Sequence, residues 1–132
     1  MVTRILNNFT HAPRVLKYAG GVGILILASP FLGLIFNVLE GKYNISSNLV
    51  YWAYMPGVIV YWLGLVSLLS KKCSGLFVLF LGWMMNSWCI YPFLSVEDQN
   101  LHFSSFIFLS VLGMVLVAIM ALNKDLQHWL RQ

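Results

Sequence analysis

Four long apolar runs, separated by short polar segments, dominate the hydrophobic pattern of the chain. Each run is close to the roughly 20 residues that a helix needs to cross a bilayer. The connections are short, so consecutive helices should be antiparallel neighbours. The pattern therefore predicts an all-α integral membrane protein, with four transmembrane helices in an up-down-up-down bundle over residues 18–122. The predicted spans are about 18–39, 49–69, 76–94 and 103–122.

The third run, Leu76 to Leu94, reads LFVLFLGWMMNSWCIYPFL and carries Asn86 near its middle. A primary amide in hydrocarbon is costly unless it finds a partner, so Asn86 should face other helices. Steps of three or four residues place further side chains on the same helical face. A tyrosine deep in the second run also needs a partner, and Asn86 is a candidate. The predicted intramembrane binding stripe is Tyr61, Gly82, Asn86, Cys89 and Phe93.

Small residues in the first and fourth runs indicate where helices approach closely. Ser29 and Gly33 lie four residues apart, and Ser110 and Gly113 lie on adjacent turns. Small residues at this spacing let a neighbouring backbone come near. Pro30 lies inside the first run and should kink it, mainly as a packing feature.

Both ends of the chain are predicted to lie at the membrane interface. The arm over residues 1–17, MVTRILNNFTHAPRVLK, is basic and has apolar residues at helical spacing. The tail over residues 123–132, NKDLQHWLRQ, reads as a short amphipathic helix with Trp129 as its anchor. Both segments are expected on the cytoplasmic side.

Composition and charge support a membrane location and predict its orientation. Hydrophobic residues make up 60% of the 132 residues and charged residues 9%, whereas a soluble domain is roughly 25% charged. The bases lie beside apolar runs and form no nucleic-acid groove. The positive-inside rule places both termini in the cytoplasm, and we predict a bacterial inner membrane. The bases of that side are Arg4, Arg14, Lys17, Lys71, Lys72, Lys124 and Arg131, with Lys42 opposite.

The chain offers little for catalysis or for a cofactor. The four predicted spans contain no ionisable Asp, Glu, Lys, Arg or His, which coupled carriers usually keep at depth. Cys73 and Cys89 should lie at different depths and behave as small apolar residues. Glu97, Asp98 and His102 are read as part of a solvated acidic loop rather than a metal site. We therefore expect no metal, no cofactor and no catalytic residue.

Three functions remain open. The first is binding to another membrane protein, or to a further copy of the chain, as an accessory or assembly subunit or an immunity-type inhibitor. The second is a homo-oligomeric channel or uncoupled transporter lined by Asn86, Ser87, Tyr61 and the serines of the fourth helix. The third is an enzyme, carrier or binding protein for a quinone or lipid held among Tyr61, Trp83, Met85 and Trp88. The lack of reactive groups favours the first.

Overall fold

The regular structure is helical throughout the part of the chain that the structure describes. That structure, a computed structural model, describes the backbone of residues 1–132 and every side chain except those of residues 46 and 47. A short 3-10 helix, Tyr91–Phe93, lies between the sixth and seventh α-helices. The α-helices are α1 (Val2–His11), α2 (Arg14–Ala28), α3 (Pro30–Leu39), α4 (Ile45–Trp52), α5 (Met55–Leu69), α6 (Ser74–Trp88), α7 (Val96–Leu122) and α8 (Lys124–Arg131).

The all-α prediction is confirmed, and several helices have the length and composition of membrane spans. Among the described residues, three helical stretches pass that test: Asn48–Leu69, Ser74–Phe93 and Val96–Leu122. The pair α2 and α3 passes it together, with a bend of 48° between them. Counting the bent pair as one span gives four, consistent with a membrane-spanning helical bundle.

Two helices begin earlier than their apolar runs predict. The first run starts as a helix at Arg14, directly after Pro13, because proline is well suited to a helix start. The fourth starts at Val96, where the Ser95 hydroxyl accepts a hydrogen bond from the backbone N–H of Asp98 at 3.2 Å. The predicted acidic loop is therefore wrong: Glu97 and Asp98 form a first helical turn, where carboxylates favour the helix dipole.

Prolines interrupt the other predicted spans. Pro30 has no N–H to offer the Ile26 carbonyl, and the Ser29 hydroxyl donates to that carbonyl at 2.7 Å. The second span starts earlier than predicted, at Ile45, and is interrupted between Trp52 and Met55, just before Pro56. α6 ends at Trp88, six residues before the predicted end, and the chain turns into the 3-10 helix that contains Pro92.

The helices pack unevenly along the bundle. α5 and α6 form the most extensive contact, α7 packs on α6, and α2 packs on both α5 and α7. α3 and α4 pack mainly on each other, and we call this pair the α3–α4 hairpin. None of the ten residues of α3, all of them described, is buried. The buried apolar core instead consists of Ala12, Leu16, Leu27, Tyr61, Leu68, Leu79, Trp83, Met120, Leu126 and Trp129.

One end of the bundle, which we call the basic end, gathers α1, the α5–α6 connection and α8. The Asn8 side chain donates to the Leu69 carbonyl at 2.7 Å and ties α1 to the end of α5. The Lys71 ammonium lies 5.2 Å from the centre of the Trp129 ring, and α8 also borders the start of α2. The basic residues near this end are Arg4, Arg14, Lys17, Lys71, Lys72, Lys124 and Arg131.

Candidate functional site

Asn86 lies buried in the contact between α5 and α6. Its side-chain amide donates to the Tyr54 carbonyl at 3.3 Å. Gly57 makes this approach possible, since a Cβ on Gly57 would lie 2.6 Å from the backbone nitrogen of Asn86. The amide therefore faces the beginning of α5, where the Tyr54 carbonyl also accepts a hydrogen bond from the backbone N–H of Val58 at 3.3 Å.

Tyr61 does not pair with Asn86, in contrast to the sequence-based suggestion. Its hydroxyl donates to the Gly20 carbonyl of α2 at 3.4 Å, and its ring occupies the space left by the missing side chain of Gly23. The ring also lies 6.2 Å from that of Trp83, centre to centre. Tyr61 therefore connects α5 to α2, because the glycine-rich start of the first span leaves room for an aromatic ring.

The rest of the predicted stripe divides into buried and exposed members. Gly82 lies directly against the backbone of Tyr61, and a Cβ there would clash with it. The half-buried Cys89 thiol donates to the Asn86 carbonyl at 3.1 Å. Phe93 is 79% exposed and lies in the 3-10 helix that contains Pro92, beyond the end of α6. The structure thus brings together Tyr61, Gly82, Asn86 and Cys89 but not Phe93.

Ser110 and Gly113 of α7 contact two tryptophans of α6. The Trp88 indole N–H donates to the Ser110 hydroxyl at 2.7 Å, and that hydroxyl donates in turn to the Phe106 carbonyl at 2.9 Å. Trp83 packs over Gly113, with its indole N–H donating to the Leu109 carbonyl at 2.7 Å. These contacts place both small residues inside the α6–α7 interface.

Ser29 and Gly33, predicted as one packing pair, have different surroundings. Ser29 is exposed, and its hydroxyl bonds to a carbonyl of its own helix. A Cβ on Gly33 would lie 2.9 Å from the Tyr51 ring of α4. The bend between α2 and α3 separates the two roles, so that Gly33 belongs to the α3–α4 hairpin and Ser29 to the bend.

The closest backbone approach in the bundle involves four glycines that the packing prediction did not include as a set. Gly57 and Gly64 are seven residues apart on α5, and Gly75 and Gly82 are seven apart on α6. A Cβ on Gly64 would lie 2.6 Å from the Leu79 nitrogen, and one on Gly75 would lie 2.7 Å from the Gly64 carbonyl. The sequence signal for this approach was the seven-residue spacing of the glycines on both helices. Such spacing keeps small residues on the helix face that meets a neighbouring helix.

The polar residues named for a channel are engaged in local hydrogen bonds. The Ser87 hydroxyl donates to the Trp83 carbonyl at 2.9 Å, and Asn86 and Tyr61 donate to carbonyls of neighbouring elements. Ser104 and Ser105 of α7 are exposed. Within one chain these groups do not line a common path.

The residues named for a hydrophobic ligand are also dispersed. Tyr61 and Trp83 are buried against each other and against glycines, whereas Met85 is exposed. Trp88 stacks on Phe106, with ring centres 5.4 Å apart, further toward the end of α6. Side chains of the protein therefore fill the space predicted for the ligand.

A small cavity of about 140 Å³ lies beneath the bend between α2 and α3. Ser29 and Pro30 border it on one side, and Asn86, Ser87 and Phe106 border it on the other. The cavity lies where the first span bends by 48° between α2 and α3.

The acidic residues near the start of α7 do not assemble a metal site. Among the described residues, no group of three or more His, Cys, Asp or Glu side chains is placed to hold a metal ion. Asp98 accepts a hydrogen bond from the Ser95 hydroxyl at 2.8 Å, and Glu97 and His102 are exposed.

The α3–α4 hairpin presents an apolar surface that the rest of the chain does not cover. Its two helices are joined by a hydrogen bond of 2.6 Å from the Asn37 amide to the Asn48 side-chain oxygen. Asn48 is fully buried and was not singled out from the sequence. The exposed apolar residues of the hairpin are Leu32, Ile35, Phe36, Val38, Leu39, Ile45, Leu49, Val50 and Trp52.

Comparison of the chain with protein family models, with curated proteins and with solved structures gives no match.

Proposed function

We propose that this chain is an integral membrane protein that crosses the bilayer four times, counting α2 and α3 as one bent span. The segregation of charge supports the orientation. Bases concentrate at the basic end, while Glu40, Lys42, Glu97 and Asp98 lie at the opposite end. The positive-inside rule then places α1, the α5–α6 connection and α8 in the cytoplasm, and we assign the protein to a bacterial inner membrane.

We further propose that the protein acts by binding another membrane protein within the bilayer, through the α3–α4 hairpin. The observation that carries this proposal is the 48° bend, which leaves α3 without a buried residue. α2 packs on α5 and α7, whereas α3 packs mainly on α4. The expected class is an accessory or assembly subunit, or an immunity-type inhibitor.

The hairpin is built as a unit that can carry such a surface. The Asn37–Asn48 hydrogen bond and the fit of Tyr51 against Gly33 hold its two helices together. The Asn37 and Asn48 side chains thereby bond to each other, and the exposed apolar side chains named above form an outer surface. In a bilayer, helices associate mainly through van der Waals packing and interhelical hydrogen bonds. A partner helix would supply the packing that α3 does not obtain within the chain.

Site-specific photocrosslinking in membranes of the native host tests the proposal. A photoreactive phenylalanine analogue at Phe36, which is 60% exposed, should give one crosslinked complex of discrete, higher mass. The same analogue at Phe77 of α6, which is 68% exposed, serves as the matched control and should give lipid adducts. Leu32→Ala should lower the yield of the complex crosslinked at Phe36, because the substitution removes contact area next to Phe36.

The identity of the product decides among the alternatives. A heavier product that contains a different polypeptide supports the proposal. A product that contains two copies of this chain favours the homo-oligomer and overturns binding to a different partner. Lipid adducts at both positions would show that the hairpin faces lipid and would contradict partner binding.

A further inference from the structure

A second apolar surface, at the basic end, has the form of a groove. It has a volume of about 350 Å³ and lies between α1, α2 and α5. Apart from Lys17, every residue that lines it is apolar or glycine. The groove is open at the surface of the bundle, since Leu6, Phe9 and Trp62 at its edge are exposed.

Two structural features keep the groove open. Asn8 fixes α1 to the end of α5, so that α1 bridges the space with Ile5, Leu6 and Phe9 along one wall. On the opposite wall, a Cβ added to Gly21 would meet no atom within 4 Å, so nothing in the chain fills this part. An apolar groove that faces hydrocarbon is costly to leave empty, because its walls lose dispersion contacts.

Lys17 gives the groove a charged mouth. Its ammonium donates to the Thr10 carbonyl at 2.9 Å and lies 5.5 Å from the centre of the Phe9 ring. The one ion pair among the described residues joins Lys42 to Glu40, at the opposite end of the bundle. Lys17 therefore has no carboxylate partner among these residues. An ammonium with a remaining donor, at a bundle end rich in bases, is complementary to a phosphate.

We propose that this groove binds one anionic phospholipid, with an acyl chain between α1, α2 and α5 and the headgroup phosphate at Lys17. The proposal rests on the membrane location proposed above but not on a protein partner. It is independent of the α3–α4 hairpin, which lies at the other end of the bundle. The lipid would fill the space under α1 and join this helix to the rest of the fold.

Native mass spectrometry of the purified, delipidated protein tests this binding. The probes are phosphatidylglycerol and phosphatidylethanolamine with identical acyl chains. We expect one phosphatidylglycerol to bind about fivefold more tightly than phosphatidylethanolamine, as one lysine contact implies. Lys17→Gln should abolish this preference while leaving acyl-chain binding in place.

A matched pair of tryptophan substitutions on α2 tests the location. Gly21→Trp fills the groove and should reduce binding of both lipids at least fivefold. Leu25→Trp adds a similar side chain at a position that is 72% exposed and does not line the groove, and it should leave binding unchanged. Circular dichroism and size-exclusion chromatography test whether each variant folds.

Two results would overturn the proposal. Equal lipid binding by Gly21→Trp and Leu25→Trp would exclude the groove as the site. If Gly21→Trp does not fold, Lys17→Gln decides alone, since it leaves the apolar walls intact. An unchanged preference for phosphatidylglycerol in Lys17→Gln would then show that Lys17 does not select the anionic headgroup. Neither result bears on the crosslinking at Phe36, so the two proposals fail separately.

Discussion

The α5–α6 pair and the α3–α4 hairpin are both antiparallel helical hairpins, yet they use their glycines differently. α5 and α6 contact each other at backbone distance through two glycines on each helix, and their contact is further covered by α2 and α7. The α3–α4 hairpin has Gly33 at its internal contact, and no residue of α3 is buried. The first pair provides much of the buried core, whereas the second has an outer surface that the rest of the chain does not cover.

The largest expected loss of stability is at a buried aromatic ring of the α5–α6 pair. Trp83→Ala should lower the free energy of unfolding by about 3–5 kcal/mol, because it leaves a void against Gly113 and removes the hydrogen bond to Leu109. Phe77→Ala on the exposed side of the same helix should change it by less than about 0.5 kcal/mol. Unfolding by SDS in mixed micelles measures both. Equal losses would show that Trp83 is not part of the core.

An identical change at two glycines should have opposite effects. Gly82→Ala should cost about 1–3 kcal/mol, because its Cβ meets the backbone of Tyr61, which cannot move aside as a side chain can. Gly21→Ala meets no neighbouring atom and should stabilise the helix by up to about 1 kcal/mol. The same unfolding measurement applies. A stabilising Gly82→Ala would contradict the close α5–α6 approach.

The smallest effect on global stability is expected in the α3–α4 hairpin. Gly33→Val should push against the Tyr51 ring and loosen the hairpin, with global stability unchanged within about 0.5 kcal/mol. Hydrogen exchange should show amide protection falling in α4 but not in α6, because local opening need not involve the core. Loss of protection in both helices would mean that the two regions unfold as one unit.

The sequence predicted the helical class because apolar residues occur in runs of bilayer length. It also predicted that Asn86 turns away from lipid, and the structure places this side chain in the α5–α6 contact. It placed helix boundaries less well, since local hydrogen bonds and prolines set them. The Ser95 cap extends α7 into a polar segment, and the chain around Pro92 leaves the helix while remaining apolar.

The residues that meet across helices were harder to predict. Tyr61 bonds to Gly20 rather than Asn86, because Gly23 leaves space on α2 for its ring. Asn37 and Asn48 lie on opposite sides of a turn, and their pairing depends on how α3 and α4 come together. Hydropathy records how apolar a residue is and says nothing about which helix it will face.

By itself the sequence determined that the chain is helical and apolar and that its basic residues flank the apolar runs. Composition and the spacing of apolar residues are local properties, so they can be read from the sequence alone. The tertiary structure decided that α5 and α6 approach at backbone distance. It also decided that most side chains of the predicted polar stripe are engaged in contacts and hydrogen bonds within the chain. It further decided that the first span bends by 48° before Pro30 and that no residue of α3 is buried. These outcomes depend on the fit of side chains from distant parts of the chain, which no single run of residues contains.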